Sequence, residues 1–283
     1  MTKISVIIPT YNRLERLKNC LESFTKINYD KDLFEIIIVD DGSSQSLDNI
    51  IKSFEKILNL TYLKQENTGP ATARNNGATK AKGKYLVFTD DDCEPDTEWL
   101  GHFNKIWEIN PDAVLGGKTI NKLTNNIYSQ ASQCLVDYLY KYYNFDTQKA
   151  QFFTSNNFAL PKHIFKDLGG FNTTFPLAAG EDRELCYRLF QQDFTMIYVE
   201  KAIIYHAHLL TFKGFWRQHF NYGQGAKYFH SIKTKNIKVE PIKFYWQLLT
   251  YPLEWDTNNN QKLSIIFLFL LSQIANTFGF FLR

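Results

Sequence analysis

Lys84-Tyr85-Leu86-Val87-Phe88-Thr89-Asp90-Asp91-Asp92-Cys93-Glu94-Pro95-Asp96 is the stretch that decides how the chain is read. Its first half is a short apolar run of aromatic and β-branched residues. That is the pattern of a strand buried on both faces, as in a parallel sheet. Its second half stops in three adjacent carboxylates, Asp90, Asp91 and Asp92. Neighbouring negative charges repel unless something positive sits among them. Hard oxygen ligands suit Mg²⁺ or Mn²⁺, and Mg²⁺ is usually held by one or two carboxylates plus substrate phosphates. In open α/β sheets, ligands bind beyond the carboxyl ends of the strands. Two readings follow: a metal–diphosphate site at the sheet's edge, or a solvated acidic turn before a helix starting near Pro95.

Upstream, residues 4–9 read as a buried first strand and residues 14–24 as a helix, with Leu14, Leu17, Leu21 and Phe24 at helical spacing. Residues 34–39 form a second buried strand, which ends in the turn Asp40-Asp41-Gly42-Ser43-Ser44. An amphipathic stretch at 47–58, a weaker strand at 60–65 and a small-residue helix at 71–81 lead back to the acidic strand. This βαβαβαβ order implies an α/β fold with a mostly parallel central sheet and right-handed crossovers. The first turn is neither a Gly-x-Gly-x-x-Gly nor a Walker A loop, so phosphates need another positive partner.

Downstream, helices are expected at 99–109, 127–145, 162–168 and 181–191. Strands are expected at 113–120, 152–160, 196–199 and 202–205. Gly116-Gly117 suggests a bulge or a close backbone approach.

At 283 residues the chain can bury a large core, and its net charge of +3 gives no global nucleic-acid signal. The four cysteines are far apart, which suggests neither zinc knuckles nor a disulfide framework and fits a reducing cytoplasm. The start of the chain runs directly into a strand pattern, so no signal peptide is expected. Beyond Leu209 the composition shifts. Lys213, Arg217, Lys227, Lys233, Lys235, Lys238 and Lys243 are interleaved with aromatics, ahead of an uncharged Phe- and Leu-rich run at 263–282. That run is about long enough to span a bilayer. Basic residues on its near side suit the cytoplasmic face. A membrane-docked tail is therefore expected, with a helix buried in the protein or in a dimer interface as its rival.

These residues together resemble glycosyltransferase family 2, with its nucleotide-diphospho-sugar transferase (GT-A) fold. The resemblance covers roughly residues 4–229. Its signposts are Val6-Ile7-Ile8-Pro9-Thr10-Tyr11-Asn12-Arg13, Val39-Asp40-Asp41-Gly42-Ser43, Gly69-Pro70-Ala71-Thr72-Ala73-Arg74-Asn75-Asn76-Gly77 and Phe88-Thr89-Asp90-Asp91-Asp92. Asn157, Gly169-Gly170-Phe171, Gly180-Glu181-Asp182 and His206 follow. The resemblance implies a catalytic domain over 1–230, with a nucleotide-binding half of about 1–120 and an acceptor half of about 121–230. Residues 231–283 would form a helical extension.

The resemblance also implies roles. Pro9, Thr10, Tyr11 and Arg13 would line the nucleotide site, and Asp41 would accept a hydrogen bond from the base. Arg74 would help position the nucleotide, with Asp91 beside it. Asp90 and Asp92 form the Asp-x-Asp pair, with Asp92 the more direct metal ligand and His206 a further contact. Asp182 would be the general base, and Asn157 and Glu181 would face the acceptor. The implied activity is a metal-dependent (Mn²⁺ or Mg²⁺) inverting transfer from a nucleotide sugar, a UDP-sugar by that resemblance, to a glycan or lipid-linked acceptor. The alternative is a catalytically silent, nucleotide-sugar-binding subunit of a membrane-associated assembly.

Overall fold

The computed structural model describes residues 2–175, 178–232, 240–255 and 258–282. Lys233, Lys235 and Lys238 of the basic tail lie outside these residues. In chain order the elements are β1 (Ile4–Thr10), α1 (Leu14–Phe24), β2 (Phe34–Asp40), α2 (Asp48–Phe54), β3 (Leu60–Lys64), α3 (Pro70–Lys80), β4 (Tyr85–Phe88), β5 (Cys93–Pro95), α4 (Trp99–Ile109) and β6 (Val114–Asn121). Then come α5 (Ile127–Tyr143), β7 (Phe158–Pro161), α6 (Lys162–Asp167), α7 (Glu181–Gln191), β8 (Met196–His206), α8 (Phe212–Ile232), α9 (Ile242–Thr250) and α10 (Asn259–Phe281). Two compact units result. One comprises Met1–Ile120, Asp146–Thr173 and Asp182–Ala207. The other comprises Asn121–Phe145, Thr174–Glu181 and His208–Arg283.

The first unit carries an eight-stranded sheet in the order β3-β2-β1-β4-β7-β6-β8-β5. β1 and β2 are buried at every position, as their unbroken apolar runs require. β1 pairs parallel with β2 and β4, and β2 pairs parallel with β3. The other half is mixed in: β7 runs antiparallel to β4 and β6, and β5 antiparallel to β8. α3 is made of small residues because it lies against β1; a Cβ on Gly77 would stand 2.6 Å from the Ile7 side chain. Asp90–Asp92 follow β4 directly, beyond the carboxyl ends of the parallel strands.

Two expectations for single elements are corrected, and one strand is added. Residues 152–160 are not one strand: Ser155-Asn156-Asn157 form a 3₁₀ turn and β7 starts at Phe158. The strands at 196–199 and 202–205 are one continuous β8, in which Glu200 and Lys201 are exposed positions rather than a break. After the acidic triplet comes β5, which was not expected, and the helix near Pro95 of the solvated-turn reading is absent; α4 spans Trp99–Ile109, as expected. β5 matters for the site, because its ladder sets Cys93 opposite His206.

Asn157, expected at an acceptor, is fully buried and belongs to the scaffold. Its amide oxygen accepts from Trp99 Nε1 at 2.9 Å, and its Nδ2 donates to the Lys118 and Ala202 carbonyls, both at 3.0 Å. Gly117 is glycine because a Cβ there would fall 2.2 Å from the Ala202 oxygen and 2.4 Å from this amide. Asn157→Ala orphans a buried indole N–H and two carbonyls. It is therefore expected to cost about 2–4 kcal/mol in denaturant unfolding, while leaving donor affinity unchanged in the folded fraction.

In the second unit, Ala131, Cys134 and Tyr138 of α5 pack with Phe215, Phe244, Leu248, Ile265, Leu268 and Phe269. The Tyr138 hydroxyl donates to the Phe244 carbonyl at 2.7 Å, so this tyrosine is a packing residue. α8 and α10 touch backbone to backbone. A Cβ on Gly223 would lie 1.9 Å from the Asn276 oxygen, and one on Gly279 1.9 Å from the Phe220 oxygen. His219 is buried beside Phe215, and its Nε2 has no hydrogen-bond partner among the described residues. Burial pushes the imidazole down to about 4. The unfolded chain, with an ordinary pKa near 6.5, then takes up a proton that the folded protein refuses. Stability should fall as pH drops from about 6.5 towards 4, by up to about 3 kcal/mol, and His219→Phe should flatten that slope in thermal melts across pH.

Candidate active site

Two turns at the carboxyl ends of β1 and β2 are clipped together. Asn12, in the left-handed region at φ +54°, accepts from the Ser44 N–H, and its own N–H donates to Ser43 Oγ, both at 2.9 Å. Pro9 and Thr10 are buried within β1, and Tyr11 is exposed. Asp40 is a turn residue: it accepts from the Ser43 N–H and the Tyr62 hydroxyl, both at 2.8 Å. Asp41 faces the start of α3, where it accepts from the Thr68 and Gly69 N–H groups at 2.9 Å and from Gln65 Nε2 at 2.8 Å. The expected contact with a base would thus have to share a carboxylate already engaged by backbone.

The three carboxylates after β4 face different sets of partners, with Arg13 common to Asp91 and Asp92. Asp90 pairs with Arg74 at 2.7 Å; that guanidinium, only 3% exposed, also lies 5.5 Å from the Phe171 ring. Asp91 points inward, accepting from the Thr10 hydroxyl at 2.7 Å and from Arg13 at 3.1 Å. Burial pushes its carboxyl up to about 6 against the pull of Arg13, and the charge of Asp92 adds to the rise. Asp92 meets Arg16 at 2.9 Å, Arg13 at 3.4 Å and His206 Nε2 at 3.2 Å. For His206, burial opposes the charged ring and Asp92 favours it, leaving the pKa raised.

Asp92, Cys93 and His206 each present one ligand atom within 4.8 Å of the others. The thiol is a poor member of that set, because desolvation and the neighbouring carboxylates raise Cys93 well above its ordinary value. A carboxylate oxygen and an imidazole nitrogen remain, a donor pair that suits Mn²⁺. The expected grouping of Asp92 with His206 is therefore present, and Asp90 stands next to it on Arg74.

Asp182 lies in the first turn of α7, half-buried. Its Oδ1 accepts from the Arg183 N–H at 2.7 Å, and its Oδ2 faces the Ser155 N–H at 3.4 Å. Desolvation raises this carboxyl above its ordinary value, with the two N–H groups and the Arg74 charge pulling the other way. Arg74 therefore acts on both Asp90 and Asp182. Glu181 is buried at the head of α7.

What fixes these groups was not singled out in the sequence. Arg188 of α7 donates to the Leu168 carbonyl at 2.6 Å and to the Gly170 carbonyl at 2.7 Å. Asn75, next to Arg74, accepts from the Phe171 N–H at 2.9 Å and donates to the Phe171 carbonyl at 2.8 Å. The Gly169-Gly170-Phe171 turn thus ties α3 to α7. Gly170, at φ +75°, also leaves room for Asn75, whose oxygen would lie 2.6 Å from a Cβ there. Arg16 is the other residue missed. Its signal was its place one helical turn after Arg13, on the same face of α1.

The family model "Glycosyl transferase family 2" matches residues 5–169. Among curated proteins, the chain is 29% identical over 238 residues to a chondroitin synthase of Escherichia coli, a match covering 72% of this chain but 34% of that protein. The chain spans less than two thirds of the length of the curated relatives it matches. Among solved structures, it resembles the mannosyltransferase PcManGT from Pyrobaculum calidifontis, in complex with GDP-Man and Mn²⁺. The TM-score is 0.68 at 16% identity, over 97% of this chain and 86% of that one. S. aureus TarS in complex with UDP-GlcNAc is also similar, with a TM-score of 0.62 at 20% identity over 100% and 76% of the two chains. These structural likenesses carry the fold: a mixed curled sheet flanked by helices, with a C-terminal helix.

Proposed function

Because the chain belongs to glycosyltransferase family 2, we propose that it transfers a sugar from a UDP-sugar to a hydroxyl of a glycan or lipid-linked acceptor, with inversion at the anomeric carbon. One observation carries this reading: the buried Arg74 guanidinium pairs with Asp90, after β4, at 2.7 Å, and its charge also favours the ionised form of Asp182, at the head of α7. A buried cation paired with one of these carboxylates and acting electrostatically on the other supports grouping them around one substrate.

In this mechanism Pro9, Thr10, Tyr11, Arg13 and Asp41 frame the nucleotide, and Arg74 orients the diphosphate. Asp92 and His206, with Asp90 beside them, would hold Mn²⁺ or Mg²⁺. When bound, the cation stabilises negative charge developing on the departing diphosphate. Asp182 takes the proton from the acceptor hydroxyl as its oxygen attacks the anomeric carbon. The sugar–phosphate bond breaks and its electron pair leaves with the diphosphate. Burial makes Asp182 a better base than an exposed carboxylate. A base with no covalent nucleophile gives one displacement and therefore inversion. The acceptor would be met at the cytoplasmic face of a membrane.

A catalytically silent donor-binding subunit is the rival, and the intact Asp90, Asp92 and Asp182 favour the enzyme. The names of the relatives make UDP- and GDP-sugars the donors to try first. Thermal melting with each donor, with and without Mn²⁺, should show stabilisation by UDP-sugars that requires the metal, accompanied by slow donor hydrolysis. Stabilisation without hydrolysis or transfer would indicate the silent subunit, and no stabilisation by any nucleotide sugar would reject both.

A further inference from the structure

α10 is uncharged beyond Lys262 and carries apolar residues on opposite sides, yet only one of those sides is covered. Ile265, Leu268, Phe269, Ser272, Ala275 and Gly279 are buried. The opposite side presents Leu263, Phe267, Leu270, Ile274, Phe278 and Phe281, the last 73% exposed. Their spacing of three and four residues makes one stripe along the helix. By length and composition α10 qualifies as a membrane span, but its packing argues otherwise. Its inner side approaches α8 backbone to backbone at Gly223 and Gly279. α8 carries Lys213, Arg217, His219 and Lys227, which hydrocarbon would not accept. A spanning α10 would have to break that seam or drag those groups with it.

The charge pattern identifies the partner. From residue 208 onward the chain has nine Lys and Arg against three Asp and Glu, although the whole protein is only +3. Lys213, Arg217 and Lys227 are exposed and lie within one face of α8. Trp216 lies on that same face, 6.3 Å from the Phe278 ring of the α10 stripe. An apolar stripe joined through a tryptophan to a basic face is the pattern of a helix lying in a lipid interface. A second copy would set one basic face near another.

We propose that the outward stripe of α10, with the basic face of α8, docks this unit in the plane of an anionic bilayer, one leaflet deep and without crossing it. The proposed acceptor gives this docking its purpose, but its physics does not depend on the donor site.

The test uses the full chain and vesicles of phosphatidylcholine, with or without phosphatidylserine at about 30%, an anionic leaflet's order of charge. Co-flotation with the anionic vesicles is expected, weakened at least tenfold by about 1 M salt, which shortens the screening length to about 3 Å. Lys213→Gln with Lys227→Gln should lower binding about 25-fold, at roughly fivefold per charge. Phe267→Ser with Ile274→Ser should abolish flotation while keeping the melting temperature and donor hydrolysis. Binding that resists salt and yields only to detergent would mark a span and overturn the proposal. So would a lipid-free dimer, seen by sedimentation, that the serine variant dissociates. Absence of vesicle binding with hydrolysis intact would reject the docking alone; vesicle binding without hydrolysis would reject the catalytic reading alone.

Discussion

Asp182→Asn is expected to lower sugar transfer by about 10²–10⁴-fold, the contribution of one positioned general base, while donor affinity in the presence of Mn²⁺ stays unchanged. The amide keeps the shape and an acceptor oxygen for the Arg183 N–H, so the site should remain intact. The folded protein holds the Asp182 carboxylate at a cost, since burial raises its pKa. Removing that charge should therefore leave the melting temperature equal or higher at pH 7, the signature of a residue kept for chemistry rather than stability. The sign in the pH profile follows. The base works only when ionised, so the acid limb of kcat/KM should fall above the ordinary carboxylate value of 3.8, and activity is lost as pH drops through it. An unchanged rate in Asp182→Asn, measured by product formation, would assign the proton transfer to another group.

Asp92→Ala is the second large effect. The carboxylate faces His206, Arg16 and Arg13, and its loss leaves three cationic or polar groups without their common acceptor. Metal-dependent stabilisation by the donor should disappear. Transfer should drop by about 10³-fold, which corresponds to roughly 4 kcal/mol of stabilisation on the leaving group. The fold should suffer less, because Arg13 keeps its pairing with Asp91 and both arginines are partly solvated, so neither guanidinium is left buried without water. Calorimetric Mn²⁺ titration of wild type and variant, with UDP present, separates lost metal binding from lost folding.

The parallel half of the sheet was legible because β1, β2 and β4 are apolar runs buried on both faces, a pattern with few other readings. The acidic triplet was legible as a site because Asp90, Asp91 and Asp92 could not all be tolerated without positive partners. Their division of labour was not. Nothing local shows that Asp91 would turn inward to Thr10 and Arg13 while Asp92 turned to His206. That depends on β5 pairing with β8, between residues more than a hundred positions apart. Asn157 could not be assigned for a similar reason: its partner Trp99 is 58 residues away, so a structural bond and an acceptor contact both fitted a polar residue in an apolar stretch. β8 was divided in two because Glu200-Lys201 resembles a turn, although both simply project into solvent. Arg16 and Arg188 were not singled out among the helix charges, and only the fold reveals the carboxylate and the carbonyls they meet.

The most direct test of the central claim is the anomeric configuration of the first-formed product, followed by proton NMR from an α-linked UDP-sugar. One displacement, with Asp182 deprotonating the acceptor opposite the departing diphosphate, predicts a β-linked product. An α-linked product would contradict it, since retention needs a second displacement or a different face of attack.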